Sequence, residues 1–277
     1  MNQKNGRQFF QTGVIYFFLV VISFGQETNS STMWHRFESD VSGAFNGSVY
    51  VISRPLHWQG KDWLNFGCVV AGTAALTLVE KEMRRLFQRN QGNTGDAIAK
   101  AVGIYGEPLT IVILTGSIYL FGNIADNTWA RETAVILTAT LLPGGIYQTA
   151  AKISAGRARP YLELGNYYFE PFHREEDYYS FVSGHTLAAM GTSIVLANRI
   201  NNTVARGCLY SLGIMVGISR LYSDDHWLSD VVLGGALAAA SAHSALNWFT
   251  SGGGYTAGRV NWLIMPSGNG LSLALSW

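Results

Sequence analysis

Six apolar segments most constrain what this chain can become: residues 64–79, 109–124, 133–151, 186–198, 207–219 and 231–249. They are rich in Ala, Leu, Val and Ile, with Gly and Thr interspersed, and each outlasts an ordinary strand. That pattern reads as helices of a bundle. The expected fold is therefore all-α, a bundle of about six core helices with its functional groups at one rim. The tail differs. Gly252, Gly253 and Gly254 interrupt the last apolar segment, and residues 260–265 and 271–277 flank a Pro-Ser-Gly-Asn-Gly turn, the pattern of a short C-terminal β-hairpin. At the other end Lys4 and Arg7 precede an apolar run over residues 14–22, closed by Ser23, Gly25 and Gln26, which reads as a secretory signal. The expected division is a signal over 1–25, a polar and aromatic arm without regular structure over 26–63, a helical domain over 64–250 and a hairpin tail over 251–277.

Composition narrows the function classes. Of 277 residues, 48% are hydrophobic and only 13% charged, a balance shifted toward a membrane or tightly packed helical protein. The formal charge of +1 offers no global attraction to nucleic acid, so any anion must be recognised locally. Cys68 and Cys208 lie in apolar stretches and read as buried free thiols. No Cys/His cluster has zinc spacing and no acidic loop resembles a calcium site, so no metal ligand set is expected.

Cations and histidines gather in three short segments, each at the end of an apolar run. The first runs from Lys152 to Arg159-Pro160. The second is Ser183-Gly184-His185, opening the fourth apolar segment. The third holds Ser219-Arg220, His226 and Asp230. Phosphoryl transfer needs these residue types, because its transition state spreads charge over equatorial oxygens and catalysis is mostly positioning and charge stabilisation. Arg159 and Arg220 can grip oxygens through planar forks, and Lys152 adds a compact charge. Pro160 turns Arg159 away from helical backbone. Ser183 and Gly184 stand before a helix whose free N–H groups can receive an anion. His226 and Asp230, at i and i+4, suggest a carboxylate that holds one ring nitrogen and frees the other to attack phosphorus. His185 can protonate the leaving oxygen and then activate water.

In order and spacing, Lys-x6-Arg-Pro, Ser-Gly-His and Ser-Arg-x5-His-x3-Asp resemble the three-part signature of the type-2 phosphatidic acid phosphatase (PAP2) superfamily. The resemblance covers roughly residues 64–249. One departure is Val182, where the second motif usually has proline. What the resemblance implies is an all-helical core and a phosphatase that needs no metal or other cofactor, with His226, His185 and Asp230 catalytic and Lys152, Arg159, Ser183, Gly184 and Arg220 binding phosphate. The expected substrates are phosphate monoesters or diphosphates, with an envelope lipid phosphate favoured. A non-specific acid phosphatase is one alternative, and a vanadium-dependent haloperoxidase, with vanadate held at His226, is another. A non-catalytic protein that binds anionic lipid lies outside the enzyme class; a nucleophile and an acid argue against it.

The remaining polar residues receive plainer readings. Arg157 is expected to be solvated, Asp224 and Asp225 to act in a cap or turn, and His243 to be a hydrogen-bonded core residue. The loop over residues 161–179, rich in Tyr, Phe and acids, is either packing or a substrate wall. Location is less coherent. Several apolar segments, at about 13 to 16 uncharged residues, fall short of the roughly 20 that span a bilayer. Three crossings after a cleaved signal would also leave the loop that follows Ala151 inside, where an exported enzyme wants it outside. The expectation is export to the envelope, with a compact bundle lying against the membrane.

Overall fold

The computed structural model describes residues 30–252, 261–267 and 270–276, so the expected signal over 1–25 lies outside the described residues. Two compact units divide the chain, Met1–Val41 and Ser42–Trp277. Nine α-helices are described: α1 (Ser30–Ser53), α2 (Gly60–Leu76), α3 (Glu80–Arg89), α4 (Asn93–Gly106), α5 (Pro108–Ile124), α6 (Thr128–Ala155), α7 (Gly184–Arg199), α8 (Thr203–Tyr222) and α9 (Leu228–Thr250). Short 3-10 turns lie at Arg54–His57, Pro160–Leu162 and Glu176–Tyr178.

The expected fold class is corrected in two respects. The described helices number nine rather than about six, because three escaped the hydropathy pattern. Helix α1 occupies the arm expected to be irregular; its apolar residues Trp34, Phe37, Val41, Phe45, Val49 and Ile52 keep a helical period among many small polar residues. Helix α3 sets Met83, Leu86 and Phe87 among charged residues, and α4 carries Gly95, Gly103 and Gly106, so neither forms an apolar run. Second, among the described residues no strand joins the helical domain, so the expected hairpin drops out of the fold class. Segments Asn261–Ser267 and Gly270–Ser276 pair antiparallel with one another, and the described ladders include no other strand.

Helix α7 packs against α6, α8 and α9, while α4 lies along α8 and α5 along α6. The core joins Val51, Ile136, Leu137, Ala139, Ile194, Val195, Ala242, Ala245 and Leu246. Local chemistry sets the helix ends. Asn127 caps α6 by accepting the Ala130 N–H at 3.0 Å, and Asn202 caps α8 by accepting that of Ala205 at 2.9 Å. Helix α6 stops at Gly156, whose φ of 56° only glycine adopts cheaply; a Cβ there would meet the Glu170 carbonyl oxygen at 1.7 Å. The end of α6, the start of α7, the end of α8 and the start of α9 therefore meet at one rim.

Among the described residues, α6 (28 residues) and α8 (20 residues) are long and apolar enough to cross a membrane. The bent pairs α2 with α3 (57°) and α4 with α5 (51°) raise the number to four if each is one broken span. The argument from short apolar runs is corrected for α8, whose helix extends past its apolar stretch, while α2, α5 and α7, at 17, 17 and 16 residues, stay short of a full span on their own. Cys68 and Cys208 are free thiols, as expected, but exposed rather than buried.

Candidate active site

The first motif leaves helix α6 by the Gly156 turn and continues extended. Arg159 has φ −71° and ψ 152°, the conformation Pro160 imposes on it. The aromatic loop folds back onto this stretch: Ala158 N–H donates to Tyr168 O, Arg159 N–H to Asp177 O and Ser180 N–H to Arg157 O, all at 2.9 to 3.1 Å. Tyr167, Phe169 and Phe172 of that loop stay exposed rather than packing beneath it.

Ser183 and Gly184 lie where the sequence put them, at the start of α7. Ser183 is fully buried and is the cap of α7, its Oγ accepting from Thr186 Oγ1 at 2.9 Å. Its own N–H donates to Asp230 O. With the Thr186 amide capped, helix geometry leaves the Gly184 and His185 amides to face an anion.

The cations converge. Arg159 Nη1 lies 3.8 Å from Asp225 Oδ1, and Arg220 Nη1 lies 3.2 Å from Asp225 Oδ2. Asp225 is therefore more than a turn residue: its carboxylate stands between the two forks that an oxyanion would use. Arg220 can lie there because its guanidinium rests against Gly103 of α4, where a Cβ would come within 2.5 Å of Nη2. Lys152, in the last turn of α6, and Arg159 lie close enough to His226 for their charges to oppose its protonation, as does His185.

His226 is 4% exposed, and its Nδ1 lies 2.7 Å from the Ser180 carbonyl oxygen. A carbonyl only accepts, so Nδ1 carries the hydrogen and the Nε2 lone pair is free. Burial first, then the charges of Lys152 and Arg159, hold its pKa well below 6.5, which keeps the ring neutral. His185 is half-buried, with Nε2 3.2 Å from Glu107 Oε1 but without an aligned hydrogen bond. Burial lowers its pKa from 6.5; Glu107 opposes that shift and Arg220 adds to it.

Two expectations about this site are corrected. Asp230 does not hold the His226 ring: α9 begins at Leu228, so His226 precedes the helix and the i,i+4 relation has no helical face to act on. Asp230 instead accepts from Arg157 Nη1 at 2.6 Å, Ser180 Oγ at 2.6 Å and Trp227 N–H at 3.0 Å. Arg157, expected in solvent, is 1% exposed and uses all five of its N–H donors. They reach Asp230 Oδ1, Ser229 Oγ (2.8 Å), Glu80 Oε2 (2.7 Å) and, twice, Asn166 O (2.6 and 3.1 Å). Its guanidinium also lies over the rings of Phe169 and Trp227, at 5.4 and 5.6 Å.

Sequence reasoning missed Glu80 altogether. It is buried, and it accepts the Ser229 N–H at 3.0 Å, the Ser229 hydroxyl and Asn166 Nδ2 at 3.1 Å. Its charge faces the N-terminus of α9, where a carboxylate is favoured. Also from α3, Arg84 grips Asp224 with its fork, Nε at 2.8 Å and Nη2 at 2.7 Å. A charged residue more than 70 positions from the motifs, in a helix of alternating charge, carries no signal that it will be buried beneath them. His243, read as a core residue, is exposed and bonds its own helix at Ala239 O.

The family model described as the PAP2 superfamily matches residues 133–252, the stretch that holds all three motifs. Two solved structures share the fold. "Crystal structure of Aquifex aeolicus LpxE" has a TM-score of 0.51 at 18% identity, covering 61% of this chain and 95% of that one. "The first transmembrane PAP2 type phosphatidylglycerolphosphate phosphatase from Bacillus subtilis" has a TM-score of 0.53 at 17% identity, covering 68% and 94%. No curated protein matches the chain.

Proposed function

We propose, on the premise that residues 133–252 are a PAP2 superfamily domain, that this protein is a membrane-associated phosphatase that hydrolyses lipid phosphates through a phosphohistidine. The observation that carries the reading is a buried, neutral histidine with its Nε2 unencumbered, set among Lys152, Arg159, Arg220 and His185. In the first step Nε2 of His226 attacks phosphorus; the N–P bond forms as the bond to the leaving oxygen breaks. His185 gives its proton to that oxygen. In the second step His185 takes a proton from water, the resulting hydroxide attacks phosphorus, and the N–P bond breaks to release inorganic phosphate. Lys152, Arg159, Arg220 and the amides of Gly184 and His185 neutralise the equatorial oxygens throughout.

The preference for lipid rests on the surface and on one neighbour. Large apolar side chains stand exposed along α5 (Val112, Ile113, Phe121, Ile124) and α8 (Val204, Ile214, Met215, Ile218), more than a water-facing protein leaves in one place. The Bacillus subtilis neighbour is itself a phosphatidylglycerolphosphate phosphatase.

Inorganic phosphate release from the purified protein in EDTA, with phosphatidate, an isoprenyl diphosphate and a soluble aryl phosphate offered separately, tests the reading. Vanadate-sensitive release that favours the lipids is expected. A preference for the soluble ester would replace it with a general acid phosphatase, and peroxidase activity dependent on added vanadate would replace it with a haloperoxidase.

The two histidines also predict the pH profile. His226 stays deprotonated far into acid, whereas His185 must be protonated to act and its pKa in the free enzyme lies below 6.5. The rate constant kcat/KM should therefore fall as pH rises through the His185 value. Glu107 raises that value, so Glu107→Gln should move the alkaline limb to lower pH and leave the acid limb in place. A limb that stays put, or moves up, would remove His185 from the role of acid.

A further inference from the structure

Three polar groups of a single residue meet at the nucleophile. Ser180 is fully buried: its N–H donates to Arg157 O at 3.0 Å, its carbonyl accepts His226 Nδ1–H at 2.7 Å, and its hydroxyl donates to Asp230 Oδ2 at 2.6 Å. A carbonyl held on one side only by its chain can tilt with the peptide plane. Here the same residue is tied by its side chain to a carboxylate, which is tied in turn by two further donors. Asp230 accepts Arg157 Nη1 and the Trp227 N–H, and Arg157 is locked by Glu80, Ser229 and Asn166.

We infer that Ser180 is the positioning residue of this enzyme, passing the anchorage of Asp230 to the His226 ring through its own backbone carbonyl. The inference rests on the phosphohistidine reading above and deepens it. Asp230 acts on the nucleophile at one remove, and Arg157 with Glu80 fixes Asp230 from behind. The role differs from that of a carboxylate touching the ring. The ring meets a neutral acceptor, so no buried charge sits against Nδ1 to favour the imidazolium, and the nucleophile stays neutral in acid. What the carboxylate supplies is direction: it keeps the carbonyl, and hence Nε2, aimed at phosphorus, where a misplacement of about 1 Å costs on the order of a hundredfold in rate.

The test removes the hydroxyl and keeps the carbonyl. Two inhibitors separate aim from anion binding. Vanadate, as a five-coordinate mimic of the transition state, needs a bond from His226 Nε2, whereas inorganic phosphate needs only the cations. In Ser180→Ala, kcat should fall roughly tenfold to a hundredfold with KM unchanged within about twofold, the signature of an interaction felt in the transition state. Vanadate inhibition should weaken by about the same factor and phosphate inhibition should not. The control is Ser193→Ala, which removes another fully buried hydroxyl of α7, bonded to Tyr105 of α4; it should leave all four quantities in place.

Asp230→Asn supplies a second route. Its loss of vanadate affinity should not deepen when Ser180→Ala is added, because both act on one line. Equal behaviour of the Ser180 and Ser193 variants, parallel weakening of vanadate and phosphate, or additive losses in the double variant would each overturn the inference. A wild-type protein that neither releases phosphate nor binds vanadate would bring down the phosphohistidine reading, and the inference with it.

Discussion

Replacing His226 with alanine is expected to abolish turnover, lowering kcat by about ten thousandfold or more, as removal of a nucleophile does when no other group can take its place. In the proposed mechanism the ring nitrogen that faces the cations forms the covalent bond, so in the variant Lys152, Arg159 and Arg220 should still bind phosphate without transferring it. The fold should survive, because His226 makes one hydrogen bond, to Ser180 O, and its neighbour Trp227 keeps its own bond from Nε1 to Ala158 O at 3.0 Å. Phosphate release and acid-quench trapping of the phosphoenzyme, beside a thermal unfolding curve, would check both halves. Release within tenfold of wild type from a folded variant would exclude His226 as the nucleophile.

Arg157→Met is expected to cost about 3 to 5 kcal/mol of stability, the usual consequence of removing one partner from a buried ion cluster. Arg157 lies between two carboxylates that water does not reach, Glu80 at 1% exposure and Asp230 at 0%. Without the guanidinium both carboxylates lose the cation paired with them in a poorly polarisable interior. Burial already raises the Asp230 pKa, with Arg157 as the leading opposing influence, so the variant's Asp230 should take up a proton at higher pH than wild type does. Arg157→Lys should fall between the two, since an ammonium keeps the charge but has no fork to bond Asp230, Ser229, Glu80 and Asn166 together. Unfolding in detergent, followed by near-ultraviolet circular dichroism, measures the loss. An Arg157→Met protein with the wild-type midpoint would show that the cluster is not what holds α3, α6 and α9 at the rim.

The sequence by itself determined the helices whose apolar runs are long and the three polar segments that the fold gathers at one rim. Those are short-range properties. Hydropathy period follows from the need to bury one helix face, Pro160 constrains only the residue before it, and Lys152, Arg159, Ser183, Gly184, Arg220 and His226 declare themselves by charge or capping within three short segments. It was silent where meaning depends on partners distant in the chain. Helix α3 looks like a solvated charged stretch until Glu80 is seen under the N-terminus of α9 and Arg84 on Asp224. Arg157 looks like a surface residue until two carboxylates close over it. Spacing alone placed Asp230 beside His226, but the first turn of α9 begins after that histidine, and the carboxylate turns to Arg157 and Ser180 instead. The physical reason is common to all three. A buried charge is tolerated only with its hydrogen bonds complete, and which distant groups complete them is settled when the helices pack.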